Sequence, residues 1–149
     1  MNVRPVHISD LNALMQLEEE CFPTEAFPRR TMRYLIQKSR SVFLVMEDQE
    51  QLLGSVCLLT PKRHRSARIY SISVAPRQQG KRLGQQLMDQ ILSIARERGY
   101  SGIHLEVDAE NKSAIRLYLR NGFYPIGHIR RYYNNGHDAL KMHRDLFSV

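Results

Sequence analysis

Residues 69–107 carry hydrophobic patterns that predict a strand, a helix and a second strand in succession. The segment Ile69–Val74, "IYSISV", is rich in β-branched residues, as strands are. Over Leu83–Ala95, apolar residues recur every three or four positions, which predicts an amphipathic helix that Gly99 closes. The segment Ile103–Val107, "IHLEV", alternates as a strand does. A chain with this order favours a sheet that carries helices on its faces.

The rest of the chain adds helices and strands of ordinary length. The patterns predict helices after Ser9, over residues 29–38 and over residues 112–120, with strands near residues 2–6, 41–46, 52–59, 123–129 and 138–146. A length of 149 residues suits one domain. We therefore expect an α/β (α+β) fold over residues 1–149: a mixed sheet flanked by helices.

Charge and cysteine content limit the classes of binding partner and the cellular setting that we expect. The formal net charge is +7 and the pI is about 9.7, a balance that favours an anionic partner such as nucleic acid, a phosphorylated cofactor or an acidic peptide. Cys21 and Cys57 are too few for a disulfide scaffold, which predicts a reducing, cytoplasmic setting. The segment "MNVRPVHISDL" has no apolar run, and no stretch approaches the roughly 20 apolar residues of a membrane span.

The loop before the long helix is a candidate phosphate site. Gly80 and Gly84 allow close approach to the backbone, and Lys81 and Arg82 add positive charge where a helix presents unpaired N–H groups. The same sequence is compatible with a plain basic turn. A P-loop is excluded because G-x-x-x-x-G-K-[ST] does not occur, and a dinucleotide fingerprint needs a third glycine.

The stretch "SVAP" followed by "QGKRLGQQLM" resembles the acetyl-CoA pyrophosphate loop of the GNAT N-acetyltransferase superfamily. That signature is Q/R-x-x-G-x-G/A, and Gln79 and Gly84 occupy its first and last positions. Arg82 stands where the signature has its first glycine. We expect the Arg82 amide to serve as a glycine amide would, provided that Arg82 keeps a negative φ.

A second stretch, "LEVDAENKSAIRLYLRNGFYPIGHIRRYYNNGHDALKM", resembles the C-terminal half of bacterial ribosomal-protein N-terminal-alanine acetyltransferases. It matches their pattern L-E-V-x-x-x-N-x-x-A-x-x-L-Y-x-x-x-G-F, then R-x-Y-Y and D-A-x-x-M. The resemblance covers roughly residues 68–145 and is loose before them, mainly at "CFP". It implies a single-domain fold with a mostly antiparallel central sheet, and transfer of an acetyl group from acetyl-CoA to a protein N-terminal amine by direct attack in a ternary complex.

The resemblance also implies which residues hold acetyl-CoA. The backbone of the strand before the loop would bind the pantetheine arm and polarise the thioester carbonyl, and the loop would bind the pyrophosphate. Asn111 would also reach the pantetheine, although its position before a helix independently predicts an N-cap. The implied cofactor-binding residues are Ile72, Ser73, Val74, Gln79, Gly80, Lys81, Arg82, Leu83, Gly84, Gln85 and Asn111.

Glu106 and Tyr118 are the candidate catalytic residues. Glu106 shares one strand face with His104, and a helix over that face would bury the carboxyl and raise its pKa. Without the resemblance, a solvent-facing strand glutamate is the favoured explanation. Tyr118 lies on the apolar stripe of its helix, where most tyrosines are core residues. The resemblance implies that Glu106 accepts the proton and Tyr118 donates one to the departing thiolate.

The acceptor is the least constrained part of the prediction. In the resembling subgroup, Tyr132 and Tyr133 line the groove for the first residues of the peptide. A lysine, a polyamine or a small metabolite amine are alternative acceptors. A nucleic-acid-binding module that uses "PKRHRSAR" is a further alternative, but the chain lacks interleaved aromatic residues, so we expect neither nucleic acid nor membrane as a partner. We also expect no metal, because the histidines and cysteines have no ligand spacing.

Overall fold

The computed structural model describes residues 1–147, and this part of the chain contains seven strands and four α-helices. No helix among them is long and apolar enough to span a bilayer. The elements are β1 (Asn2–Pro5), α1 (Leu11–Cys21), α2 (Arg29–Gln37), β2 (Ser41–Asp48), β3 (Gln51–Leu59), β4 (Ser66–Val74), α3 (Leu83–Glu97), β5 (Gly102–Asp108), α4 (Lys112–Arg120), β6 (Tyr124–Ile129) and β7 (Ala139–Asp145).

The strands form one sheet in the order β1-β2-β3-β4-β5-β7-β6. Among the described strands, only the β4–β5 pair is parallel, and the other neighbours are antiparallel. One hydrophobic cluster lies under α3 and α4, and a second lies under α1 and α2 on the opposite face. This confirms the predicted mixed, mostly antiparallel sheet flanked by helices.

Local sequence accounts for most element boundaries. The apolar stripe of α3 is buried as its spacing predicts, and Gly99 follows the helix with φ +82°. Most other boundaries shift by one or two residues, and two departures from the prediction have a structural cause. Ser9 is not the cap of α1, because a 3₁₀ turn over Ile8–Asp10 precedes that helix and His7 caps the turn. Strand β4 begins at Ser66 rather than Ile69, since pairing with β3 and β5 overrides the polar start of the segment.

The parallel strands β4 and β5 are paired over only part of their length. Strands β4 and β5 pair only at Ser66–Arg68 against Gly102–His104. On the other side of β4, the register with β3 shifts between Cys57 and Leu58, which leaves Tyr70 as the extra residue of a β-bulge. A bulge bends its strand and increases the local twist. Beyond Arg68 the two strands therefore separate, and we call the space between them the wedge.

Arg82, directly before α3, has φ +62° and ψ 25°, the left-handed conformation. The expectation of a negative φ was therefore wrong. The turn that leads into α3 requires a conformation that glycine adopts freely and that costs other residues about 1–2 kcal/mol. The arginine fills a glycine position in a strained form.

We predict that Arg82→Gly stabilises the protein by about 0.5–1 kcal/mol relative to Arg82→Ala. Both variants lose the charge, but only glycine relieves the positive φ; its larger unfolded-state entropy offsets part of the gain. Urea unfolding of both variants and the wild type measures the difference. A glycine variant less stable than the alanine variant would show that the left-handed conformation is absent.

Candidate active site

The backbone of β4 is unpaired where it borders the wedge. The Ala75 N–H donates to the Leu53 carbonyl at 2.8 Å, so Ala75 faces β3. Successive strand residues direct their backbone groups to alternate sides, so those of Ile72 and Val74 face the wedge. The Cys21 thiol approaches from α1 and donates to the Val74 carbonyl at 3.3 Å. These backbone groups can bind an extended ligand as a neighbouring strand would.

Ser73 differs from its two neighbours. Its side chain is buried, and its Oγ has no hydrogen-bond partner among residues 1–147. Its residue pairs with Ser55 of β3. The three residues predicted to hold the pantetheine thus lie together at the wedge, and one of them has an unsatisfied hydroxyl.

The start of α3 lies at the same end of β4. The first backbone bond of the helix start joins the Gln86 N–H to the Arg82 carbonyl at 3.2 Å, which leaves the N–H groups of Leu83, Gly84 and Gln85 without intrahelical acceptors. A Cβ on Gly84 would lie 3.8 Å from the Val74 side chain, so the first turn of α3 lies close to the wedge.

The rest of the predicted loop leads into that turn. Gly80 has φ +85°, and a Cβ there would meet nothing within 4 Å. The Lys81 ammonium donates to the Gln78 side chain at 3.0 Å, and Gln79 ends the 3₁₀ turn Pro76–Gln78. The loop therefore combines exposed cations, helix N–H groups and the positive end of the helix dipole, which together favour a phosphate.

Helix α4 lies beside α3 and is joined to it by side-chain hydrogen bonds. The Asn111 side chain accepts the Ala114 N–H at 3.1 Å, which confirms the predicted N-cap. Gln85 of α3 and Asn121 after α4 exchange two side-chain hydrogen bonds, at 2.8 and 2.9 Å. The Gln85 side chain is thus engaged in joining the two helices, and its backbone N–H is the group available to a ligand.

Glu106 lies on β5 at the wedge with its side chain 14% exposed. It accepts a hydrogen bond from the Arg68 guanidinium at 3.2 Å. The sequence suggested cover by a helix, but the hydrogen-bond partner of Glu106 is Arg68 of the neighbouring strand β4. The guanidinium thus holds the Glu106 carboxylate in place at the wedge.

Tyr118 of α4 is buried on the same face as α3, with its ring edge-to-face against Phe123 at 5.6 Å. Burial, with a smaller effect of Tyr133, raises the pKa of the Tyr118 hydroxyl above its usual value. The phenol is therefore protonated at neutral pH and can act as a proton donor.

The β6–β7 loop, residues 130–138, carries Tyr132 and Tyr133, whose rings meet edge-to-face at 4.9 Å. Burial raises the pKa of Tyr133, and nearby Glu106 and Asp108 add to the effect. His137 fixes the loop to β5 through a 2.8 Å contact with Asp108, which raises the pKa of that imidazole. The loop is thus held against β5, with Tyr133 half-buried in it.

The α1–α2 loop, residues 22–28, lies against the β6–β7 loop. Glu25 accepts the backbone N–H of Asn135 at 2.8 Å, so the two loops are joined. The Phe27 ring packs edge-to-face on Tyr70 at 5.4 Å, and the Arg68 guanidinium lies 5.6 Å from the Tyr70 ring centroid. We call the space between these loops and the wedge the acceptor groove.

Sequence reasoning missed four groups here: Glu18, Phe27, Arg68 and Tyr70. Arg68 and Tyr70 alternate on a strand next to the predicted loop, a signal that could have identified them. Glu18 follows Leu17 on the buried side of α1, where a carboxylate is unusual.

Neither cysteine has the character of a nucleophile. Burial raises the pKa of Cys57 to about 12 and that of Cys21 to about 11, so both are thiols at neutral pH. Both are free. Among residues 1–147, no three histidine, cysteine, aspartate or glutamate side chains converge as metal ligands would.

Several known proteins with similar sequences or folds are named as acetyltransferases. The chain is 27% identical over 141 residues to a Bacillus subtilis protein provisionally named as the alanine N-acetyltransferase of ribosomal protein bS18, covering 94% of this chain and 92% of that one. It is 38% identical over 78 residues to N-alpha-acetyltransferase RimI of Mycobacterium tuberculosis, covering 52% and 48%.

The crystal structure of the ribosomal-protein-S18-alanine N-acetyltransferase from Escherichia coli has the same fold, with a TM-score of 0.88 at 23% identity, covering 99% of this chain and 95% of that one. The family model described as acetyltransferase (GNAT) family matches residues 11–123, more than half of the chain. The protein thus belongs to the GNAT acetyltransferase family and is an acetyl-CoA-dependent acetyltransferase.

Proposed function

We propose that this enzyme acetylates the N-terminal α-amine of a protein. The wedge carries the proposal: it joins an open strand edge to the phosphate-binding turn of α3, with Glu106 and Tyr118 beside it. The acceptor groove leads to it between two joined loops, a shape that suits an extended chain end. Relatives named for alanine and N-alpha acetylation support this acceptor over a lysine, polyamine or metabolite amine.

The residues at the wedge fit acetyl-CoA, which supplies the acetyl thioester. The backbone groups of Ile72 and Val74 would bind the pantetheine, and the Val74 N–H would polarise the thioester carbonyl. The Ser73 backbone, although predicted to take part, faces β3 instead. The N–H groups of the turn Gln79–Gln85 and the Lys81 and Arg82 charges would bind the pyrophosphate. Asn111 would add a contact beyond its observed capping bond.

Glu106 would accept the proton of the incoming ammonium, directly or through water. A terminal amine has a pKa near ~8, so most of it is protonated at neutral pH and must lose a proton before attack. Arg68 holds the carboxylate in place by its 3.2 Å hydrogen bond. Tyr118, buried and protonated, would donate to the thiolate as it departs.

Tyr132 and Tyr133 would line the groove for the first residues of the peptide. The amine would attack directly in a ternary complex, since neither thiol is ionised enough to carry an acetyl group. Residues 1–149 would act as one domain that needs no metal. The reducing cytoplasm remains the setting we propose, with no nucleic acid or membrane in the reaction.

A peptide panel tests this function. The enzyme is incubated with acetyl-CoA and peptides beginning Ala, Ser, Met or Gly, with free lysine and spermidine in parallel, and thiol release is followed. We expect release with at least one peptide and little with lysine or spermidine. Release with lysine or spermidine alone would overturn the proposal.

Replacing Tyr118 with Phe should lower kcat on the order of 10²-fold, because the thiolate loses its proton donor. The affinity for acetyl-CoA, measured by calorimetry, should stay within about twofold of the wild type, since the ring remains. Tyr100→Phe is the matched control: its buried hydroxyl donates to the Pro61 carbonyl at 2.7 Å, at the far end of α3, and its loss should affect stability alone. Unchanged turnover in Tyr118→Phe would remove the donor role.

Glu106→Gln keeps the shape of the side chain but cannot take up a proton. Its kcat/KM should fall most at about pH 6, on the order of 10²-fold, and least above about pH 8, where the amine is already neutral. Exposed Glu97→Gln serves as the control. A pH profile that parallels the wild type would contradict a base at this position.

A further inference from the structure

His137 stands between two carboxylates in the β6–β7 loop, and the reaction above does not use it. Its Nδ1 atom lies 2.8 Å from a carboxylate oxygen of Asp108 on β5, and its Nε2 atom lies 3.0 Å from one of Glu110 in the β5–α4 loop. A neutral imidazole has one N–H and one bare lone pair, whereas the imidazolium has two N–H donors. The position of the ring between two carboxylates therefore favours its protonated form.

The charged groups that act on the His137 ring within residues 1–147 are three carboxylates: Asp108, Glu110 and, from the α1–α2 loop, Glu25. The hydrogen bond to Asp108 raises the pKa of the imidazole above its ordinary value of about 6.5, although desolvation opposes the rise. A ring with a raised pKa keeps its charge at neutral pH and loses it as the pH rises further. Deprotonation then leaves these carboxylates without the cation between them.

His137 also closes the turn that carries Tyr133. The His137 carbonyl accepts the Tyr133 N–H at 3.2 Å, and the Tyr133 carbonyl accepts the Gly136 N–H at 2.9 Å. The Tyr133 ring in turn packs edge-to-face on Tyr132 at 4.9 Å. Backbone hydrogen bonds thus connect His137 to the two tyrosines proposed to line the acceptor groove.

Asn135 extends the cluster to the other wall of the groove. Its side-chain oxygen accepts the His137 N–H at 2.8 Å, and its side-chain amide donates to Asp108 at 3.4 Å. Its backbone N–H donates to Glu25 of the α1–α2 loop at 2.8 Å. The loops on both sides of the acceptor groove therefore meet at one cluster, in which the His137 ring is the cation.

The contacts of His137 are suited to holding a loop rather than the whole fold. The side chains of His137 and Glu110 are 36% and 67% exposed, and exposed ion pairs contribute little to global stability. The open and closed positions of a loop differ in free energy much less than the folded and unfolded states do. A contact that is weak on the scale of unfolding can therefore decide where the loop lies.

From this geometry we propose that His137 is a positioning residue for the acceptor peptide: its protonated form holds the two loops of the groove together, and peptide binding weakens when the ring loses its proton. This inference rests on the proposed N-terminal acetylation. It makes acceptor binding, but not acetyl-CoA binding, depend on the charge of a residue outside the wedge.

The test measures the KM for the best peptide of the panel at about pH 6 and about pH 9 in the wild type, His137→Arg and His137→Gln. Arginine stays charged at both pH values and glutamine stays neutral. Ionisation of the peptide amine affects the three proteins equally, so it cancels in the ratio of their KM values. The wild type should lie within about twofold of His137→Arg at the lower pH and approach His137→Gln at the higher pH, about fivefold above the arginine variant.

Two controls accompany this comparison. His64→Gln changes an exposed histidine of the β3–β4 turn and should follow the wild type at both pH values. The KM for acetyl-CoA, expressed as the ratio of the wild type to each His137 variant, should not change with pH.

The outcomes separate this inference from the function it rests on. A wild type without activity on any peptide would overturn the proposed function. An active wild type whose peptide KM stays in constant ratio to that of His137→Gln between about pH 6 and about pH 9 would overturn only the role of His137. A change of the same size in the KM for acetyl-CoA would also overturn it, because such a change reports a general structural effect.

Glu110→Gln gives a second route that leaves His137 in place. It removes one of the carboxylates that favour the charged ring, so the midpoint of the pH dependence of the peptide KM, taken as a ratio to His137→Gln, should move to lower pH. Exposed Glu97→Gln at the end of α3 makes the same change in net charge and should leave the midpoint where it is. A midpoint that stays fixed in Glu110→Gln, or that moves equally in Glu97→Gln, would show that another group titrates and would overturn the inference.

Discussion

The structure depends on a parallel strand pair that is left incomplete. Strands β4 and β5 share three residue pairs and then separate at the bulge of Tyr70. Buried backbone groups need hydrogen-bond partners, so the open edge beyond Arg68 favours any ligand that can serve as a substitute strand. The wedge is the space that this open edge borders, and we propose that the pantetheine arm of acetyl-CoA pairs with β4 there.

The other parts of the site are placed by their relation to this wedge. Helix α3 starts where β4 ends, so its free N–H groups lie at the same end of the strand as the open edge. Helix α4 follows β5 and is joined to α3 through Gln85 and Asn121, which fixes Tyr118 beside the wedge. The groups proposed for anion binding and proton donation are thus held by two helices, each of which follows a strand that borders the wedge.

Charge is distributed unevenly over this basic protein. The net charge is +7, yet the carboxylates of Glu25, Glu106 and Asp108 lie at or near the acceptor groove. Cations face the expected pyrophosphate, and carboxylates face the expected ammonium, so each substrate meets the opposite charge. Two of these arrangements cost stability: a left-handed Arg82 and a buried Glu18. Strain and unpaired charge of this kind are concentrated at functional sites in proteins.

The sequence by itself determined the element order, the mixed sheet, the Asn111 cap and the glycine turn before α3, because each follows from short-range spacing and backbone preference. Its resemblance to a known family also predicted which residues meet at the wedge, although their roles stay predictions. Only the tertiary structure decided the φ of Arg82, the pairing of Glu106 with Arg68 and the burial of Glu18. These depend on residues far apart in the chain: Arg68 and Glu106 are 38 positions apart, and Glu18 is buried only because α1 packs on the sheet. Hydrophobic periodicity shows which face of an element is buried, but it does not show which side chains of the neighbouring element will contact that face.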